Sequence, residues 1–176
     1  MRRRAGQETG GLTAESAAFE HSLSLDDFRA AETQAGPEWT AMRAGLLAKL
    51  AAAKYSRDRT EIFSSEGMID EAVRSVDVEN VLRNPTNMIP MRLAEAAHAS
   101  HPDWVIDVCE RMAANVMDAG QGGFYELAAQ WLEKAMLAYD AAGRFEDWIA
   151  RIDGLIEKHR RKYKCRLALN CKNTPV

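Results

Sequence analysis

No uninterrupted apolar run in this 176-residue sequence approaches the ~20 residues that a bilayer-spanning helix needs. The basic start Met1-Arg2-Arg3-Arg4 is followed by Ala-Gly-Gln-Glu-Thr-Gly-Gly and not by an apolar core, so a secretory signal is not expected. Cysteine is scarce. Cys109, Cys165 and Cys171 make no even framework, and free thiols in a reducing cytoplasm are the expected setting. Charge of neither sign dominates, and the net charge of −3 argues against a strongly basic nucleic-acid binder taken as a whole. No segment alternates apolar and polar residues with period two, so essentially no sheet is expected. Gly120-Gln121-Gly122-Gly123 is followed by Phe-Tyr and not by Lys-Ser or Lys-Thr, and it comes after a helical pattern rather than a strand. It therefore reads as a helix terminator and turn, not as a phosphate cradle.

What the sequence does have is helical spacing. Phe124, Leu127, Ala128, Trp131, Leu132, Ala135, Met136 and Tyr139 recur at intervals of three and four, the signature of one buried helix face. Glu126, Gln130, Glu133 and Lys134 fall between them. A second helix repeats the pattern with Phe145, Trp148, Ile149, Ile152, Leu155, Ile156, His159 and Tyr163. Gly143 stands just past the end of the first helix, where a positive φ is wanted. Glu146 and Asp147 open the second helix and cations close it, which complements the helix dipole. So short a connection makes the two helices antiparallel neighbours, and Phe124 to Lys164 reads as one helical hairpin.

The rest of the chain extends the theme. Residues 1–20 are rich in Arg, Gly, Glu and Thr and are expected to lack fixed structure. Ser24 suits the N-cap of a helix from Leu25 to about Gln34. Pro37 suits the start of another, which carries Trp39, Met42, Leu46, Leu50 and Ala53 on one face to about Tyr55. Arg57 to Val76 reads as a shorter hairpin turning at Ser64-Ser65-Glu66-Gly67. Asp77 to Pro90 looks irregular, because Asn84-Pro85 and Ile89-Pro90 are both breakers. Met91 to Ala99 is a modest helix. His101-Pro102-Asp103 starts a longer one with Val105, Val108, Cys109, Met112, Ala113 and Val116 inward. The last helices begin about 21 residues apart, and a pair repeats at roughly 42, near the spacing of α-solenoids. The expected fold is all-α: seven or eight helices in antiparallel hairpins, stacked as a short tetratricopeptide-like solenoid over residues 21–164, with a frayed tail at 165–176.

Several strings carry a family resemblance. They are Glu66-Gly67-Met68-Ile69-Asp70-Glu71-Ala72, Ser100-His101-Pro102-Asp103-Trp104, Tyr125 with Ala128-Ala129 and Trp131-Leu132, Gly143-Arg144 with Trp148, and His159-Arg160-Arg161-Lys162-Tyr163-Lys164. Together they resemble the C-terminal helical region of the bacterial and archaeal SWIM zinc-finger proteins. The resemblance covers about Arg57 to Lys164, and Phe19 to Tyr55 more loosely. The family's name-giving Cys-x-Cys followed by Cys-x-His is absent. Its zinc binding, and the DNA- or protein-binding role attached to that motif, are therefore carried onto no residue here. Past Lys164 the family continues with a leucine-rich helical segment, where this chain reads Cys165-Arg166-Leu167-Ala168-Leu169-Asn170-Cys171. The resemblance implies a detached or truncated helical module of such a protein.

The chemistry on offer is modest. His98, His101 and Cys109 supply three of the four ligands that a structural zinc site wants, and read better as hairpin-corner residues. Glu66, Asp70 and Glu71 read as a solvated or capping group rather than an acid–base pair. No nucleophile has a recognisable context, so an enzyme is not expected, nor a metal or other cofactor. The strongest candidate is the basic run Lys158, Arg160, Arg161, Lys162 and Lys164, joined by Arg166. It offers phosphate contacts that need no base sequence, against a plainer role as cations favouring a helix C-terminus. Trp131 and Trp148 read as hairpin-core aromatics, with lining of a partner groove as the functional alternative. The expected function is a non-catalytic protein–protein interaction or scaffold module in the cytoplasm, with nucleic-acid binding by the basic run as the runner-up. No membrane partner is expected. A homodimer through an uncapped helical end is a further expectation.

Overall fold

The structure is a computed structural model and describes residues 14–119 and 124–159. Among these residues every regular element is a helix and there is no strand. The chain divides between Ser75 and Val76 into two compact units.

The first unit holds α1 (14–22), α2 (Leu25–Ala35), a 3-10 turn (Gly36–Glu38), α3 (Trp39–Ala52), α4 (Arg59–Ser65) and α5 (Ile69–Ser75). The segment expected to lack fixed structure is helical from residue 14 onward. The physical reason is Phe19, which is fully buried with its ring centroid 5.2 Å from that of Phe28. Phe28 also meets the Trp39 ring edge-on at 5.1 Å, so one side chain joins α1, α2 and α3. Aromatic pairs of this geometry add about 0.5–1.5 kcal/mol each beyond burial. Ser24 caps α2 as its spacing suggested, accepting from the Asp27 N–H at 3.2 Å. The corner before it is pinned from the α3–α4 loop. Ser56 Oγ donates to the Leu23 carbonyl at 2.9 Å, and Asp58 accepts from the Leu25 N–H at 2.9 Å. Pro37 opens the 3-10 turn rather than α3 itself, and α3 ends at Ala52 rather than near Tyr55. On α3, Leu46, Leu47 and Leu50 are buried while Trp39 and Met42 are half-buried. Leu47 was not among the expected core positions.

The α4–α5 turn is tighter than its composition suggests, because Ser64 and Ser65 still belong to α4. Gly67 takes φ +73°, Gly67 N–H donates to the Ser64 carbonyl at 3.2 Å, and Met68 N–H reaches back to Phe63 at 2.9 Å. That is the Schellman arrangement, in which a glycine past the helix end lets two orphan carbonyls find donors.

The second unit holds α6 (Val78–Arg83), α7 (Ile89–Ala97), α8 (Pro102–Asp118), α9 (Tyr125–Ala141) and α10 (Phe145–Lys158). Asp77 to Pro90 is more ordered than its prolines suggest. Asp77 caps α6 through the Asn80 N–H at 3.1 Å. Pro90 sits in the first turn of α7, where its missing N–H has no intrahelical partner to lose. Pro102 starts α8 in the same way. All six residues expected to face inward on α8 are buried, and Ile106 and Met117 join them. On α9 the expected face is out of step at its start. Phe124 is the N-cap and 38% exposed, and Tyr125 is buried instead. The helix begins one residue later than the pattern assumed, so Phe124 precedes its first turn. Ala128, Trp131, Leu132, Ala135 and Tyr139 are buried as expected. Leu127 and Met136 are half-buried. Gly143, at φ +68°, closes α9 with a second Schellman motif: Gly143 N–H to Asp140 at 2.9 Å and Arg144 N–H to Tyr139 at 2.8 Å. On α10, Trp148, Ile152 and Leu155 are buried, as is its C-cap His159; Phe145 and Ile156 are half-buried, and Ile149 is exposed.

Candidate functional site

The second unit contains an arrangement of charge that the sequence reading did not single out. Arg144 Nη1 lies 2.6 Å from Asp103 Oδ1. Arg151 places Nε at 2.9 Å and Nη2 at 2.8 Å from Glu110 Oε2. Lys158 Nζ lies 3.1 and 3.3 Å from the two oxygens of Asp118. Three acids of α8 are therefore matched, in order, by three cations that precede or belong to α10. The partners are 41, 41 and 40 residues apart. Rungs that advance in the same sense along both helices mean that α8 and α10 run parallel. The cations are seven apart and the acids seven and eight apart, spacings that keep each set along one side of its helix. Acids spaced seven and eight apart on one helix, and cations spaced seven apart along another, are the available signal.

The middle rung is the most enclosed, since only 17% of the Glu110 side chain is exposed. Its second oxygen accepts from the Tyr139 hydroxyl at 2.9 Å, which ties α9 into the same cluster. The Arg144 guanidinium lies over the Tyr139 ring at 5.2 Å, and the Trp148 ring centroid is 5.9 Å away. Burial, and then the hydrogen bond to Glu110, push the Tyr139 phenol above its ordinary pKa.

The rungs also fix the rotation of α10. At the offset of 41 residues, the buried Val105, Met112 and Val116 of α8 correspond to the exposed Glu146, Asp153 and Glu157 of α10. Conversely, the buried Trp148 corresponds to the exposed Asp107. Side chains that meet across two parallel helices point toward each other, so this mismatch at the contact offset is what two helices turned the same way produce. At an offset of 43 residues, the buried Val105, Cys109, Met112 and Val116 fall on the buried Trp148, Ile152, Leu155 and His159. The face of α10 away from its buried stripe carries charge rather than a broad apolar surface.

Trp131 and Trp148 are both fully buried. They are core residues, and neither presents surface to a groove. Lys158 is exposed and engaged with Asp118. Arg160, Arg161, Lys162, Lys164 and Arg166 lie outside the described residues, as do the Gly120–Gly123 turn, Tyr163 and the 165–176 tail. His98 Nδ1 is 2.7 Å from the Glu95 carbonyl, and His101 Nδ1 is 2.9 Å from Ser100 Oγ. Among the described residues no three His, Cys, Asp or Glu side chains gather as they would around a metal, so His98, His101 and Cys109 are not brought together. Glu66, in the first unit, is a structural clasp. Its side chain is 7% exposed and is held by Arg43 Nε and, at 3.2 Å, by Arg29 Nη1. Among the described residues no helix is long and apolar enough to cross a membrane.

Cys109 is buried in the α8 face, and burial pushes its thiol up to about 12. The Lys134 ammonium opposes that shift and the Glu110 carboxylate adds to it. The thiolate is the nucleophile, so the folded protein holds Cys109 in its inert form. In a chain carrying Cys165→Ser and Cys171→Ser, an aqueous disulfide reagent at pH 8 is expected to modify Cys109 only as fast as the protein unfolds. Rapid modification under native conditions would contradict its burial. The pH dependence has a definite sign. The unfolded thiol ionises near its ordinary value while the folded one stays protonated, so this contribution is complete below about 9 and declines toward 12. Tyr139 acts in the same direction.

Comparison with protein-family models, with curated proteins and with solved structures gives no significant match to the chain.

Proposed function

We propose that the chain is a non-catalytic helical module that binds other proteins through a fixed outer surface. The observation that carries this reading is the α8–α10 ladder. Two helices held in register across a third form a rigid frame, and a rigid frame is the physical requirement for displaying a constant surface at low entropic cost of binding. Sealing Trp131 and Trp148 inside that frame makes them supports of the surface and not contacts on it.

The stacked-hairpin architecture belongs to the same proposal. The α4–α5 and α9–α10 hairpins close with the same pair of Schellman hydrogen bonds, which supports a common building unit. The charged outer face of α10 suits a helix that ends a stack, where helical repeats need a polar cap. The proposed relationship to the helical region of SWIM zinc-finger proteins rests on the strings from Glu66 to Lys164. It brings no zinc ligand with it.

The test is in-cell cross-linking of the tagged chain followed by mapping of the cross-linked residues. Partners joined through the exposed faces of α8 and α10, and lost when Glu146 and Asp153 are changed to Lys without loss of stability, are the expected result. A chain that cross-links to no protein, but shifts a labelled duplex at low salt in a manner abolished by Arg160→Glu, Arg161→Glu and Lys162→Glu, would replace this reading with nucleic-acid binding.

A further inference from the structure

We draw no further inference here: the strongest candidate, the partly exposed Phe145–Ile149–Ile156 edge of α10 beside Glu146 and Asp153, carries nothing, because nothing in the structure shows what covers it.

Discussion

Replacing Trp148 with alanine is expected to lower the stability of the chain by about 3–5 kcal/mol, the range for truncating a fully buried aromatic. Denaturant unfolding of the purified variant measures it. Trp148 is fully enclosed and packs near the Tyr139 ring. Its loss removes apolar burial and opens a cavity that the surrounding helices close only in part. A residue lining a partner groove would behave in the opposite way, weakening binding while leaving the unfolding midpoint in place. Trp148→Phe is a useful companion. The indole N–H has no hydrogen-bond partner among the described residues, so its removal offsets part of the lost packing. The phenylalanine variant is therefore expected to lose clearly less than the alanine variant. Equal losses would mean that the N–H is satisfied in solution.

Phe28→Ala is expected to cost a similar amount, about 3–5 kcal/mol, in the first unit. Phe28 is fully buried and touches aromatic rings on both sides, Phe19 of α1 and Trp39 at the start of α3. The loss has a spatial signature. Since Phe19 is the only fully buried large side chain of α1 among the described residues, amide exchange in 14–22 is expected to accelerate first in the variant. Unchanged protection of α1, with a loss below about 1 kcal/mol, would show that α1 is held by something other than this aromatic stack.

Helix faces were legible wherever apolar residues kept a 3.6-residue period over several turns. That is why all six residues read as inward on α8 are buried, although Ile106 and Met117 join them. Short elements were harder. α6 is six residues long and carries one buried side chain, Val81, too little for periodicity to register against two nearby prolines. Pro90 is ambiguous in sequence because the same residue breaks a helix interior and favours a first turn, and only the position of the helix start separates the two. Gly67 and Gly143 were legible because a tight turn after a helix demands positive φ. The rungs from α8 to α10 were not foreseen. Each charge looked like ordinary surface decoration until the fold brought 103 beside 144, 110 beside 151 and 118 beside 158. Trp131 and Trp148 are buried as hairpin-core aromatics should be; the groove offered as their alternative was open because periodicity places a residue on the apolar face but does not say how completely that face is covered.

The most direct test of the ladder is a double-mutant cycle on its middle rung, with Glu110→Gln and Arg151→Gln made singly and together. Glutamine at 110 keeps an acceptor for the Tyr139 hydroxyl, so the cycle isolates the charge pair. The expected coupling is about 0.5–1 kcal/mol, toward the upper end for a surface pair because Glu110 is largely enclosed, and it should shrink in high salt. Strictly additive single losses at low salt would mean that α8 and α10 are not held side by side, and the rigid frame proposed for binding would go with them.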